Sequence, residues 1–114
     1  MTPTEKITEA EIKSLADEIK KFLLDREMWS DTRIYFSGMA YDSETEEVLT
    51  GLDPHDYTEY AGDILTMTFE GPLYDALNYG DPSWRVEEEL TAIFRKYGLY
   101  FELGHTWDLS AYPI

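Results

Sequence analysis

Apolar residues at Ile12, Leu15, Ala16, Ile19, Phe22 and Leu23 recur every three or four positions, the one-sided stripe of an amphipathic helix. Thr8-Glu9-Ala10-Glu11 precedes the stripe and has the form of a capping box. In that arrangement the Thr hydroxyl and the Glu carboxylate each satisfy a backbone N–H that the first turn leaves unpaired. Ile7 and Ile12 stand where a hydrophobic staple would form, and Glu9/Lys13 and Asp17/Lys21 are spaced four apart with the acid first, the favourable order. Together these signals predict a helix over 9–26.

After Met28 and Trp29 the period shortens to two. Ile34, Phe36 and Ala40 alternate with Tyr35, Ser37, Met39 and Tyr41, which predicts a strand over 32–41. Asp42-Ser43-Glu44-Thr45 reads as its turn and 46–51 as a short partner strand, making a hairpin. Asp53-Pro54 and Gly62 mark a loop over 52–62. Alternation resumes over 63–70, with Leu65, Met67 and Phe69 opposite Ile64, Thr66 and Thr68.

Gly71-Pro72 ends that strand and starts a short helix to Tyr79, with Pro at N1, where its missing N–H costs nothing, and Gly80 behind it. Ser83 is placed to cap a second helix over 84–97, whose apolar face is Val86, Leu90, Ile93, Phe94 and Tyr97, with Gly98 as its stop. Leu99 to Leu103 alternates as a further strand, and the tail to Ile114 either extends it or packs over the sheet. The order is α-β-β-β-α-α-β. Short links between successive strands imply an α+β fold with an antiparallel sheet of about four strands and helices on one face. Its 114 residues suit a single domain spanning the whole chain.

Composition narrows the function classes. With no cysteine, disulfides, thiol catalysis and cysteine-held metals are excluded. The chain carries 24 acidic against 9 basic residues, a formal charge of -15, and direct binding to nucleic acid or to an anionic membrane needs the opposite balance. Residues 1–5 lack the basic start and apolar run of a secretory signal, and no apolar run approaches the ~20 residues of a membrane helix. A soluble cytoplasmic protein is expected.

The excess charge is regional. Residues 31–81 hold one basic residue, Arg33, against twelve acidic ones, whereas 1–30 and 82–114 each have a net charge of -2. Between Ile34 and Trp84 there is no Lys or Arg. A solvated face that maintains solubility is the plainest reading. Adaptation to high salt is opposed by Lys6, Lys13, Lys20 and Lys21 in the first helical region. Neither Asp42-Ser43-Glu44 nor Asp53-Pro54-His55-Asp56 matches a calcium-binding loop, so no metal and no cofactor is assigned. The remaining reading is a docking surface for a basic protein.

That reading gains from the tyrosines. Tyr35, Tyr41, Tyr57, Tyr60, Tyr74 and Tyr79 are interleaved with the acids, and Tyr offers rigid area on which an Arg guanidinium stacks while a carboxylate pairs with it. The expected partner-binding residues are Asp42, Glu44, Glu46, Glu47, Asp53, Asp56, Tyr57, Glu59, Tyr60 and Asp63. In size, charge and lack of catalytic motifs the chain resembles the small acidic anti-restriction and anti-CRISPR inhibitors. The likeness is one of composition over the whole chain, so no functional residues are carried over from it. It implies a non-enzymatic nucleic-acid mimic that binds a nucleic-acid-binding enzyme. The alternatives are an acid–base or metal-dependent enzyme using His55 or His105, and a self-associating module joined through the first helix or the tail.

Overall fold

The computed structural model describes residues 7–45, 47–79 and 85–114. Helix α1 runs over Glu9–Asp25 with both halves of the Thr8/Glu11 capping box formed. Ile7 packs on the core beside it. The ion pairs along α1 are Lys13–Asp17 and Lys21–Asp25, both 2.9 Å, instead of the two pairs the spacing favoured. Asp17 also accepts a hydrogen bond from the Tyr41 hydroxyl, so both of its oxygens are engaged, one by Tyr41 and the other by Lys13. Burial would raise Asp17, but the bonds from Tyr41 and Lys13 outweigh it and hold its pKa below the ordinary value.

The segment expected as one strand over 32–41 is a tight hairpin, β1 Thr32–Phe36 and β2 Met39–Asp42. Ser37 and Gly38 turn the chain with φ of 51° and 76°, the two positive values of a type I′ loop. Phe36 then lies opposite Met39 and Ile34 opposite Tyr41, so the turn moves the core face from even to odd positions. Met39 and Tyr41 join Ile34 and Phe36, and Ala40 lies with Tyr35 on the other face, not with Ile34 and Phe36 as the alternation predicted. Asp42–Thr45 is a turn as expected, but it follows the second strand, and the partner strand shrinks to β3, Leu49–Thr50.

Strand β4 is Leu65–Phe69, helices α2 and α3 are Pro72–Asn78 and Arg85–Arg95, and β5 and β6 are Leu99–Leu103 and Asp108–Pro113. Pro72 opens α2, and Gly98 follows α3 with φ 74°, as anticipated. Gly80, Ser83 and Trp84 lie outside the described residues. The sheet has six strands, not four, all antiparallel, in the order β3-β2-β1-β4-β6-β5. The tail supplies β6, which inserts between β4 and β5 rather than adding at an edge. The fold is α+β.

Register decides the two faces. Ile34, Phe36, Tyr41, Leu65, Met67, Phe69, Leu99 and Leu109 share one face and form a continuous core with Leu15, Ile19 and Leu23 of α1, Leu73 of α2, and Leu90 and Phe94 of α3. Side chains of this kind contribute roughly 1.5–3 kcal/mol each when fully buried. The opposite face carries Arg33, Tyr35, Ala40, Asp42, Thr66, Asp108 and Ser110, all of them buried or half-buried. What covers them is the connection from β3 to β4. Leaving the outermost strand, it must cross β2 and β1 to reach β4, three strand spacings or about 14 Å. It crosses on the side the helices leave open.

Candidate functional site

The crossing segment begins with Asp53, which caps a single 3₁₀ turn over Pro54–Asp56 by accepting a hydrogen bond from the His55 N–H. Its lid over the sheet is held by polar contacts. Thr58 donates to Asp108 Oδ2 at 2.5 Å, and the same carboxylate accepts from the His105 N–H at 2.6 Å and meets His105 Nδ1 at 2.9 Å. Burial would raise Asp108, but the Thr58 and His105 hydrogen bonds outweigh it and hold its pKa below the usual carboxylate range. Farther along, the Gly62 N–H donates to Thr66 Oγ1 at 2.9 Å and Ser110 Oγ at 3.1 Å, and the Ser110 hydroxyl donates to the Tyr60 carbonyl at 3.1 Å. Among the described residues no buried side-chain nitrogen or oxygen lacks a partner.

Gly104, in the β5–β6 turn, makes this closure possible. A Cβ there would come within 2.4 Å of Tyr60 Cβ and 2.7 Å of Asp108 Oδ1. Above it the His105 ring lies parallel to Trp107 at 4.6 Å and edge-on to Tyr60 at 4.7 Å, and its Nε2 is 3.6 Å from Glu59 Oε1.

At the other end of the lid, Arg33 is tied to Asp42 through both Nε and Nη2, and its Nη1 donates to the Tyr35 hydroxyl at 3.1 Å. Burial opposes its charge, yet these bonds raise the pKa further above its ordinary value. The guanidinium carbon is 5.5 Å from both the Tyr35 and Tyr57 ring centroids. The chain therefore holds its own arginine by pairing it with an acid and with two tyrosine rings. Beside it is an open depression of about 410 Å³, bordered by Asp31, Glu44, Tyr57, Glu70 and Trp107.

The expected partner-binding residues divide. Glu44, Glu47, Asp53, Asp56, Glu59 and Asp63 are exposed, and Tyr57 and Tyr60 are 48% and 49% exposed. All eight lie on the lid or on the β2–β3 connection leading into it. Asp42 is set apart: it is 8% exposed and engaged by Arg33, so it supports the face from beneath. Glu46 lies outside the described residues. Tyr35 and Tyr41 are buried, and Tyr74 is half-buried on the core.

The basic residues are elsewhere. Among those described, Lys13, Lys20, Lys21, Arg26, Arg85, Arg95 and Lys96 all belong to α1, α3 or the residue that follows each helix. Several are paired with helix acids, as in Lys96–Glu18 and Arg26–Glu89. Along 43–64, in contrast, the ion pairs found among described residues are only with histidine, Asp53–His55 and Glu59–His105.

The two histidines do not converge. His55 is exposed and bonded to Asp53 at 2.9 Å, while His105 is built into the far end of the lid. No group of three or more His, Asp or Glu side chains among the described residues is placed to hold a metal ion, and no helix among them is long and apolar enough to cross a membrane. The polar register of β6, with Asp108 and Ser110 as the lid's anchors, is the part of the site that residue types alone did not single out. Compared with protein-family models, with characterised proteins and with solved structures, the chain matches none.

Proposed function

We propose that this chain is a non-enzymatic binding domain whose acidic lid docks on the basic, nucleic-acid-binding surface of another protein, acting as an inhibitor that occupies the place of the nucleic acid. The observation that carries this reading is the separation of charge: Asp53, Asp56, Glu59 and Asp63 are exposed beside Tyr57 and Tyr60 on the crossing segment, Glu44 and Glu47 on the β2–β3 connection that leads into it, and the described Lys residues belong to the helices or directly follow one. Carboxylates spaced along a lid that is hydrogen-bonded to a rigid sheet present a fixed row of negative charge. A surface built for phosphates is attracted to such a row by the same long-range field.

The test is binding of the purified chain to a panel of nucleic-acid-binding proteins, each with and without duplex DNA or RNA, over roughly 50 to 500 mM salt. The expected result is a complex that competes with nucleic acid and weakens steeply with salt. Changing Asp53, Asp56, Glu59 and Asp63 together to Asn or Gln should weaken it at least about tenfold, the scale of a few lost charge pairs. A complex indifferent to salt and to that variant, or no complex with any basic partner at low salt, sinks the reading.

A further inference from the structure

The outer edge of β5 bears no relation to the lid and has a chemistry of its own. Gly98 O accepts from the Ile114 N–H, and the Gly104 N–H donates to Asp108 O. Gly98, Tyr100, Glu102 and Gly104 therefore face β6, and by the alternation of an antiparallel ladder the N–H and C=O groups of Leu99, Phe101 and Leu103 point outward. Among the described residues no strand pairs with that side. The opposite edge of the sheet is β3, only two residues long, which is one way an edge is made harmless. Leu99-Tyr100-Phe101-Glu102-Leu103 has five residues with neither Lys nor Pro nor a bulge, and Glu102 is its one charge.

Alongside this edge runs a groove of about 510 Å³ lined by Leu77, Glu87, Phe101, Glu102 and Leu103. Leu103 is 42% exposed and Tyr100 37%. A strand laid against β5 would place every second side chain on the helix side, over Phe101, Leu103 and Leu77. The intervening ones would fall opposite Tyr100 and Glu102. The first set has to be apolar, and the second meets a carboxylate and a tyrosine ring, the pair that holds Arg33 elsewhere in this molecule.

We propose that β5 accepts, as a seventh strand, an extended segment of a partner protein in which apolar residues alternate with Lys or Arg. Charge selects this occupant over a second copy of the chain. Two copies would bring together protomers of formal charge -15 across an edge that carries Glu102, whereas the cationic residues of the incoming strand pair with that carboxylate. The ladder bonds supply affinity, and the alternation supplies specificity.

The probe is a synthetic seven-residue peptide alternating valine and arginine. It is compared with a peptide of the same composition in two blocks, and with one N-methylated on the bonds of a single strand edge. Binding is followed by the backbone amide resonances of the full chain. The alternating peptide should bind saturably and shift and protect the amides of Leu99, Phe101 and Leu103; the two-block peptide should bind at least about tenfold more weakly because its side chains cannot match both faces, and the N-methylated one because it cannot complete the ladder. Leu103→Pro, which removes one outward N–H, should cause a similar loss, and Glu87→Gln with Glu102→Gln a smaller, salt-sensitive one. Equal binding of the N-methylated peptide, or shifts centred on the Asp53–Asp63 lid, would overturn the proposal. So would concentration-dependent protection of the same β5 amides without peptide, which would make the occupant a second copy. None of these outcomes depends on whether the lid binds a basic partner.

Discussion

The two faces of the sheet are covered by different means. On the helix side, Phe69, Phe94, Leu15, Leu90 and Leu109 are essentially without exposure, and they are held by burial, which is non-directional and tolerant of detail. On the lid side no apolar side chain of the covering segment, residues 51–64, is fully buried. Thr58, Gly62 and Tyr60 instead meet Asp108, Thr66 and Ser110 through specific hydrogen bonds. A segment fixed in this way leaves most of its own side chains free to face solvent, and here those side chains are acidic. The helix layer makes the fold, and the lid uses a small amount of directional bonding to display charge.

The comparison is broken most severely from the helix side. Phe94→Ala removes a fully buried ring that packs on Phe101 at 5.2 Å, and should cost about 3–5 kcal/mol. Urea unfolding measures it, and amide exchange should rise throughout α1, α3 and the sheet. Asp108→Ala should cost about 2–3 kcal/mol, since it strands the donors of Thr58 and His105. Its signature is local. Exchange at Tyr60 and Gly62 should accelerate before that of α1, because the lid opens as a unit of lower stability than the core. If both variants loosen α1 and the lid alike, the two coverings are one cooperative structure and the distinction fails.

Acid separates the faces more gently. Asp108 has its pKa depressed in the folded protein, so its contribution is complete above the unfolded carboxylate value near 4. It is lost as pH falls through the lower folded value. Protonation removes the charge but leaves an oxygen for Thr58 and His105, so the loss is a fraction of that in Asp108→Ala. The urea midpoint of the native chain should therefore fall on acidification below about pH 4 more steeply than that of Asp108→Asn. Asp17, also depressed by Tyr41 and Lys13, supplies slope common to both. Parallel curves would show that the bonds from Thr58 and His105 do not lower the pKa of Asp108.

How much of this was readable beforehand follows from where the information lies. The capping box of Thr8 and Glu11, the stripe from Ile12 to Leu23 and the β5 limits depend on neighbours within a turn or two, and the chain alone reveals them. The Ser37-Gly38 turn escaped because a two-residue hairpin shifts the core face from even to odd positions, from Ile34 and Phe36 to Met39 and Tyr41, and the small Ala40 and the aromatic Tyr41 fit either parity. The path of the lid is a consequence of strand order. That order depends on β4 pairing with β1 and not with β3, and no local pattern encodes it. Asp108 and Ser110 do alternate with Leu109 and Ala111, the signature of a strand with one polar face. Asp42 was misleading for a related reason: its charge was legible, but its pairing with Arg33 requires the register that sets the two opposite each other.

The smallest effects should have opposite signs on the two faces. Lys21 on α1 is paired with Asp25, both well exposed, and Lys21→Ala should lower stability by about 0.3 kcal/mol, the usual size of an i,i+4 pair in water. Asp63 is exposed on a segment with no Lys or Arg partner among the described residues, surrounded in sequence by Glu59, Asp56 and Asp53. Neutralising it removes repulsion and no attraction, so Asp63→Asn should raise stability by roughly the same few tenths. Both changes are electrostatic and exposed, and about 0.5 M salt should abolish the two together. If Asp63→Asn instead destabilises the chain at low salt, that carboxylate has an attractive partner, and the lid's charge is balanced within the molecule rather than left for a basic surface to meet.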